Sequence, residues 1–448
     1  MIRQWERARL GEVLRLDIDP VTIDSFSTYP MVGVLSFGRG LFDREPVENG
    51  KTSYRVFYRL KADHIVMSQL FGWEGALALS SEGFAGKFVS PQFPTFLCDG
   101  NRLDRHFLGW FMRRPAFWED LASRTSGMGD RRRTLNPDAL FASSIPLPSL
   151  REQRRIADRI SDLATRVEQA CDLRRSSRAE AEALLASMLS RRCTSQSRRP
   201  ASSGESAREL LARISRFKFN GQVAARKQAP MALPEPPKVP DTWAIVQAGE
   251  LQKCGAILDI QDGNHGSDYP RKAEFSDEGV PFVTAKQLDN GSVAVADAPR
   301  LGQERASRLR IGFARGGDVL LTHNASVGDV AIAPSDAGNF LIGTSVTYWR
   351  CNPEALRPKY LYYFMRSQHF QSQLQFVMKQ TTRNQVSVLK QVNLWIVLPP
   401  VAEQDLIIAE LDALEEQLSR LTRLQTETAT ELDALLPAIL DKAFKGEL

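Results

Sequence analysis

The stretch Leu147-Pro148-Ser149-Leu150-Arg151-Glu152-Gln153 decides the fold, because it returns 251 residues later as Leu398-Pro399-Pro400-Val401-Ala402-Glu403-Gln404. The same interval carries Leu184, Leu185 and Leu189 onto Leu435, Leu436 and Leu440, and the match runs without a gap from Arg132 to Leu189. Trp5, Gly11 and Glu12 recur as Trp243, Gly249 and Glu250 at an interval of 238, so the second copy gains a net 13 residues further on. Between these anchors, Phe111, Met112, Arg113, Phe117 and Leu121 match Phe364, Met365, Arg366, Phe370 and Leu374. The chain is two copies of one module, each a variable globular part followed by a long helix. Such a chain suits a ligand with two related halves.

Both helix starts are written in the sequence. Pro146 and Pro148 break the preceding chain, Ser149 with Glu152 makes a capping box, and Pro399 and Pro400 do the same before Glu403. Alternating steps of four and three then give Ile156, Ile160, Leu163, Val167, Ala170, Arg174, Ser177, Ala181, Leu184 and Met188 in the first helix. The second gives Ile407, Leu411, Leu414, Leu418, Leu421, Gln425, Thr428, Leu432, Leu435 and Ile439. These are heptad seams with polar interruptions at matching positions, and two matching seams in one chain can close on each other. Pro437 is expected to kink or end the second helix locally.

The globular parts alternate short apolar runs with turns, as in Met31 to Phe37, Arg55 to Leu60 and His64 to Leu70. That pattern predicts a mixed α/β (α+β) domain, with one helix near Arg105 to Leu121 and its counterpart near Lys359 to Gln375. Asp63 before Ile65 corresponds to Asp318 before Leu320, and Ala76 to Ala78 corresponds to Ala331 to Ala333, so the two domains share a fold and differ in loops. The linear division is a first domain over 1–145, a helix over 146–192, a linker over 193–240, a second domain over 241–396 and a helix over 397–448. The linker is rich in Ser, Arg, Ala and Pro, with a short helix expected around Ala207 to Phe217.

Net charge is +5 and unevenly spread: Arg191 to Lys227 holds ten Lys or Arg against two Glu, and Arg102 to Arg133 holds eight against four acids. Such clusters suit a polyanion better than a small substrate. The 5 cysteines are scattered without a CxxC pair, which indicates neither a zinc site nor a disulfide framework. Met1 to Leu10 is charged and no apolar run approaches a membrane span, so a cytoplasmic protein is expected. Catalytic signatures are absent: there is no GxxxxGK loop, no GxSxG elbow and no HExxH, and the 5 histidines are isolated. Gly38-Arg39-Gly40 is a weak glycine signal that a turn explains, and Asn136-Pro137 and Asn352-Pro353 lack the rest of a methyltransferase's base-gripping motif.

Ile145 to Gln153, its twin Val397 to Gln404, and the terminal run Leu435 to Leu440 with Ala443 to Leu448 resemble the conserved regions of the DNA specificity subunit of type I restriction-modification systems. The resemblance covers nearly the whole chain. It implies two target recognition domains separated by two long antiparallel coiled-coil helices in a pseudo-twofold repeat. It further implies a non-catalytic reader of double-stranded DNA, with methyltransferase subunits, two of them, docked alongside and restriction/translocase subunits further out. S-adenosylmethionine, magnesium and ATP then belong to the partners, and this chain carries no cofactor or metal. Other readings are the recognition module of another phage-defence methylation system, or a nuclease or methyltransferase in its own right. Two departures stand out: the linker after Arg192 is long for the family, and Val401 and Ala402 replace Leu150 and Arg151.

Candidate DNA contacts follow from side-chain chemistry. Arg131, Arg132 and Arg133 come after Gly127 and Gly129, and the matching loop of the second module holds Lys379, Thr382, Arg383, Asn384 and Gln385. Arg and Lys grip phosphate or guanine edges, whereas Asn and Gln suit adenine. His265, Arg271, Lys272, Lys286 and Gln287 are further candidates in the second domain, and Arg39, Arg44 and Lys51 in the first; each is otherwise an exposed surface charge. Trp73, between Gly72 and Gly75, is expected to pack in the domain rather than stack on a base. Glu152, Gln153, Glu403 and Gln404 are either helix caps or contacts for the methyltransferase subunit.

Overall fold

The computed structural model describes residues 5–24, 27–48, 52–125, 134–194, 205–216, 232–289, 291–379 and 384–448. Its contacts gather into two compact units, Met1–Ser176 with Leu424–Leu448, and Ser177–Arg423. Each unit combines one globular part, the beginning of the long helix that follows it, and the last stretch of the other long helix.

In the first unit, Arg7–Arg9 pairs antiparallel with Ser144–Pro146, which closes the domain where the helix begins. A four-stranded sheet runs in the order Leu14–Leu16, Thr95–Cys98, Ile65–Met67, Leu77–Leu79, and Ile65–Met67 is buried along its whole length. A five-stranded sheet runs Pro20–Thr22, Val56–Arg59, Phe88–Val89, Thr28–Leu35, Gly40–Glu48, with one parallel pairing at Met31 and Phe88. The second unit repeats the plan. Ala244–Gln247 pairs with Trp395–Leu398, and the first sheet is Ile257–Asp262, Val346–Cys351, Val319–Asn324, Ser326–Ile332, extended by Ser292–Val293 and Leu288–Asp289. In the other sheet, Phe313–Arg315, Asn339–Ile342, Val280–Val283 and Arg300–Leu301 reproduce the order of Val56–Arg59, Phe88–Val89, Thr28–Leu35 and Gly40–Glu48, down to a parallel pairing at Phe282 and Leu341. Two sequences with different loops therefore build the same sheets, because the buried apolar runs fall at corresponding places.

The expected single helix near Arg105 to Leu121 is two helices, Arg105–Phe111 and Pro115–Ser123, and its counterpart is Pro358–Arg366 followed by Gln368–Lys379. Pro115 forces the break: it has no N–H to continue the ladder, and it opens the new helix at its first position. The first unit's core gathers Leu103, Phe107, Phe111, Ile156 and Ile160 around Leu440, Ala443 and Phe444 from the end of the chain. The Phe444 ring lies 5.0 Å from Phe107 and 5.2 Å from Phe111, centroid to centroid. In the second unit, Trp349, Tyr360, Phe364, Phe370, Ile407 and Leu411 pack with Leu189 and Cys193. The helix Ala207–Arg216 forms as expected within the linker, and it buries Ala207, Leu210 and Ile214 in the same core.

The long helices span Leu150–Arg192 and Val401–Glu427, the latter continued by Ala429–Lys445. Their seams follow the expected positions from Ile156 to Arg174 and from Ile407 to Gln425, then slip by one residue. Leu184 and Leu435 are exposed, whereas Leu185 and Leu436 pack against the cores. A straight helix of 3.6 residues per turn drifts by about 20° per heptad from a 3.5-residue repeat, so after three heptads the buried stripe has moved onto the next residue. The helix also runs on through Pro437 and is interrupted instead at Thr428. The cause lies in Arg174, whose guanidinium donates to the carbonyls of Gln425 and Thr428 and so caps the last turn of Val401–Glu427. Pro437 and Asp433, whose carbonyl loses its partner there, are both exposed, where water can serve that carbonyl. Within the first unit the first helix and the chain's end run antiparallel: Arg155 bonds the Leu448 carbonyl, and Arg174 meets Gln425, its own repeat equivalent. Among the described residues no helix is long and apolar enough to cross a membrane.

Candidate nucleic-acid interface

In the second unit, five segments converge. Gly263 sits so close to the chain at Ile342–Gly343 that a Cβ would stand 2.2 Å from the Ile342 carbonyl oxygen. Gly343 donates to the Val283 carbonyl at 2.8 Å, and Ala285 donates to the Ser345 hydroxyl at 3.1 Å. His323 donates its amide to Ser345 at 3.0 Å and accepts from Val386 at 2.9 Å, while Ala325 donates to Asn384 at 3.1 Å and Gln385 bridges to Asn324. These bonds gather the segments bearing His265, Lys286 with Gln287, and Asn384 with Gln385. His265, Lys286 and Asn384 are exposed and Gln385 is half-buried, and His265 Nε2 lies 2.7 Å from the Asp262 carboxylate, so these segments offer one ammonium, one imidazole and two amides. Gln287 is partly committed: its side-chain oxygen accepts from the Thr284 amide at 3.0 Å and the Thr284 hydroxyl at 2.9 Å, closing a capping box.

Arg271 and Lys272 are exposed on a separate turn. It is tied down by Glu274, which accepts from the Arg271 amide at 2.6 Å and from Arg305 at 2.7 Å. Lys379 is exposed at the end of the helix Gln368–Lys379. Thr382 and Arg383 lie outside the described residues, as do Lys51, Arg131, Arg132 and Arg133 in the first module. There, Arg39 and Arg44 share one hairpin: Arg39 is in the turn, its Nε donating to the Ser36 carbonyl at 3.0 Å, and Arg44 is on the exposed strand opposite Met31. Trp73 is half-buried, its indole N–H donating to the Leu70 carbonyl at 2.9 Å.

The helix-start residues separate by role. Gln153 is fully buried; its oxygen accepts from the Asp104 amide at 2.8 Å and its amide nitrogen donates to the Arg102 and Pro148 carbonyls at 2.9 and 2.8 Å. Gln404 makes the same three bonds, to the Arg357 amide at 2.8 Å and the Ala355 and Pro399 carbonyls at 3.0 and 2.9 Å. Both clamp helix start to domain through bonds within the chain. Glu403 is buried as well, accepting from the Trp243 indole at 2.8 Å. Glu152 remains at the surface, where its carboxylate pairs with Arg155 at 2.9 Å.

One residue at the converging segments carried no sequence signal. His323 is fully buried on the strand Val319–Asn324, and among the described residues neither ring nitrogen has a hydrogen-bond partner. Burial holds its imidazole below the ordinary value, with His265 adding to the effect and Asp262 opposing it. Its strand is bonded to the segments bearing Ser345 and Asn384, and the lowered value favours the uncharged form of the ring.

Residues 240–430 match the family model described as Type I restriction modification DNA specificity domain. A curated relative, the Type I restriction enzyme EcoBI specificity subunit of Escherichia coli, is 23% identical over 173 residues, which are 38% of this chain and 36% of that protein. The second module and its helix are similar to the type I restriction modification DNA specificity domain. The match thus spans about a third of the curated relative's length. Among solved structures, the HsdS subunit from Thermoanaerobacter tengcongensis is similar in fold, with a TM-score of 0.58 and 23% identity over 99% of this chain and 97% of that one. A chain from a study of complex assembly and conformational transition in the type I R-M system gives a TM-score of 0.68, also at 23% identity, over 99% and 98%.

Proposed function

We propose that this chain reads a bipartite, asymmetric duplex target, one half-site per globular domain, and scaffolds two methyltransferase subunits together with restriction/translocase subunits. The observation that carries the reading is the repeated sheet order on which unlike loops are mounted: exposed Lys286 and Asn384 in one domain, exposed Arg39 and Arg44 in the other. A common scaffold with different loop chemistry suits two different short sequences. S-adenosylmethionine, magnesium and ATP are assigned to the partner subunits. A duplicated apolar surface supports the twofold count of methyltransferases. Leu173 and Leu424 are repeat equivalents and are 71% and 47% exposed; Leu184 and Leu435 are likewise equivalent, at 53% and 44%. Exposed leucines at repeat-equivalent positions suit the docking of two copies of one partner. The test is replacement of Met1 to Gly129 with the corresponding domain of a homologue, followed by methylome sequencing of cells carrying the chain with its partners. One half-site changes and the other stays; a change in both halves together refutes the modular reading.

A further inference from the structure

The first unit has an open cavity lined by arginine at the place where the second carries two tyrosines and two acids. The cavity, about 290 Å³, lies between the Gly38-Arg39-Gly40 turn, the strand Leu77–Leu79, the helix Arg105–Phe111 and Ser161 of the long helix. Arg113 lies over the Trp110 ring, 4.7 Å from guanidinium carbon to centroid. Its stem is fixed by Gly38, where a Cβ would stand 3.0 Å from Arg113 Cα and Cγ. Arg39 and His106 line the same space. The neighbouring carboxylates are engaged elsewhere: Glu74 accepts from the Ser36 hydroxyl at 3.2 Å, and Asp63 pairs with Arg105 at 2.8 Å. Glu168 acts on Arg113 only through space, and burial pulls the guanidinium below its ordinary value. Among the described residues Arg113 has no ion-pair partner.

The second unit shows what neutralisation of this place looks like. At an interval of 253, Gly109, Trp110 and Arg113 become Tyr362, Tyr363 and Arg366; at 251, Ser161 and Ala164 become Asp412 and Glu415. There Arg366 is ion-paired with Glu415 and bonds the Tyr362 hydroxyl, Tyr363 donates to Glu415 at 2.9 Å, and Lys359 reaches Asp412 at 2.9 Å. The first unit keeps the arginine and lacks both the tyrosine that fills the space and the acid that compensates the charge.

A guanidinium stays charged in a protein, so partly desolvated and without a bonded carboxylate it is stabilised by an anion, and its planar fork matches phosphate oxygens. We propose that this cavity binds a phosphate group, held by Arg113 and Arg39 with His106 as a further donor. Small-molecule sites begin at about 300 Å³, so the space suits one phosphate with little attached, from the duplex backbone or from a mononucleotide. The backbone arm rests on the DNA-reading function proposed above, and the mononucleotide arm does not.

The test titrates the full chain calorimetrically with inorganic phosphate and with adenosine monophosphate, and measures duplex affinity across salt concentrations. It compares the natural chain with Ala164→Glu, which supplies the second unit's carboxylate, and with Arg39→Gln at an exposed position that does not threaten folding. Saturable phosphate or nucleotide binding, weakened at least tenfold in both variants, supports the site with a free ligand. No free-ligand binding, with the slope of log affinity on log salt lowered by about 0.9 in the variants, supports the site with a backbone phosphate. Variants that match the natural chain in every readout, or a natural chain that binds neither ligand and shows no slope change on substitution, overturn the proposal. Failure of duplex binding in the natural chain alongside intact phosphate binding counts against the DNA-reading function and not against the cavity.

Discussion

Replacing Gln153 or Gln404 with Leu tests whether these glutamines hold helix to domain or hold a partner. Each side chain makes three hydrogen bonds to backbone groups of its own chain. Leucine is of similar volume but returns none of them, leaving one amide and two carbonyls without partners at each site. At about 1 kcal/mol or more for each group so orphaned, either variant loses about 3 kcal/mol, and the two losses are nearly equal because the bonds are the same. Urea denaturation followed by circular dichroism measures this, with the transition of the affected unit moving to lower denaturant at unchanged slope. The double variant shifts both units additively, since Gln153 and Gln404 share no partner. A loss below about 0.5 kcal/mol together with failure to retain the methyltransferase subunit would refute the clamp and restore the partner reading.

Three further outcomes are expected. His323 has a folded value below its unfolded one, so the unfolded chain binds the proton first; stability is at its maximum above about pH 6.5 and falls by up to about 1.4 kcal/mol per pH unit as acidification proceeds toward the folded value. Thermal midpoints measured from pH 8 to pH 5 show this drop for the natural chain and a shallower one for His323→Leu; parallel curves would discount the ring. Changing Arg131, Arg132 and Arg133 to Ala weakens duplex binding and flattens its salt dependence by about 0.9 in logarithmic slope for each phosphate no longer neutralised, and an unchanged slope with unchanged affinity makes them solvated surface. Seven residues inserted after Val167 and after Leu418, where both seams are regular, lengthen each helix by about 10 Å, or about three base pairs at 3.4 Å rise; methylation-site sequencing then finds a longer gap between unchanged half-sites, and an unaltered gap in an active complex removes the idea that helix length sets it.

The repeat made much of this architecture legible. Duplicated proline breaks fixed the helix starts, and the apolar spacing of Ala207, Leu210 and Ile214 was enough to place a short helix in an otherwise polar linker. The sheets were not legible in the same way, because Met31 beside Phe88 and Phe282 beside Leu341 are parallel neighbours set by crossovers that no local pattern records. Leu184 and Leu185 are adjacent apolar residues, and choosing between them requires knowing that the helix accumulates drift. At the candidate interface, Arg and Asn are proposed by type alone, whereas Gln153 and Gln404 are informative only through their burial, and His323 only through the absence of partners among the described residues. The contrast between Arg113 and Arg366 was present in the sequence as Ala164 against Glu415, but it gains meaning only once helix and domain are seen to meet.

The first unit's core contains Leu440, Ala443 and Phe444. A ribosome that has made the first domain and its helix has therefore made a polypeptide whose Phe107 and Phe111 still face water, and the wait lasts until residues 424–448 emerge. A chain that stops within the second module lacks Leu440, Ala443 and Phe444, and with them part of the first unit's interior. The last residues of the chain thus complete the interior of its first domain, and both ends of the sequence are needed for one core.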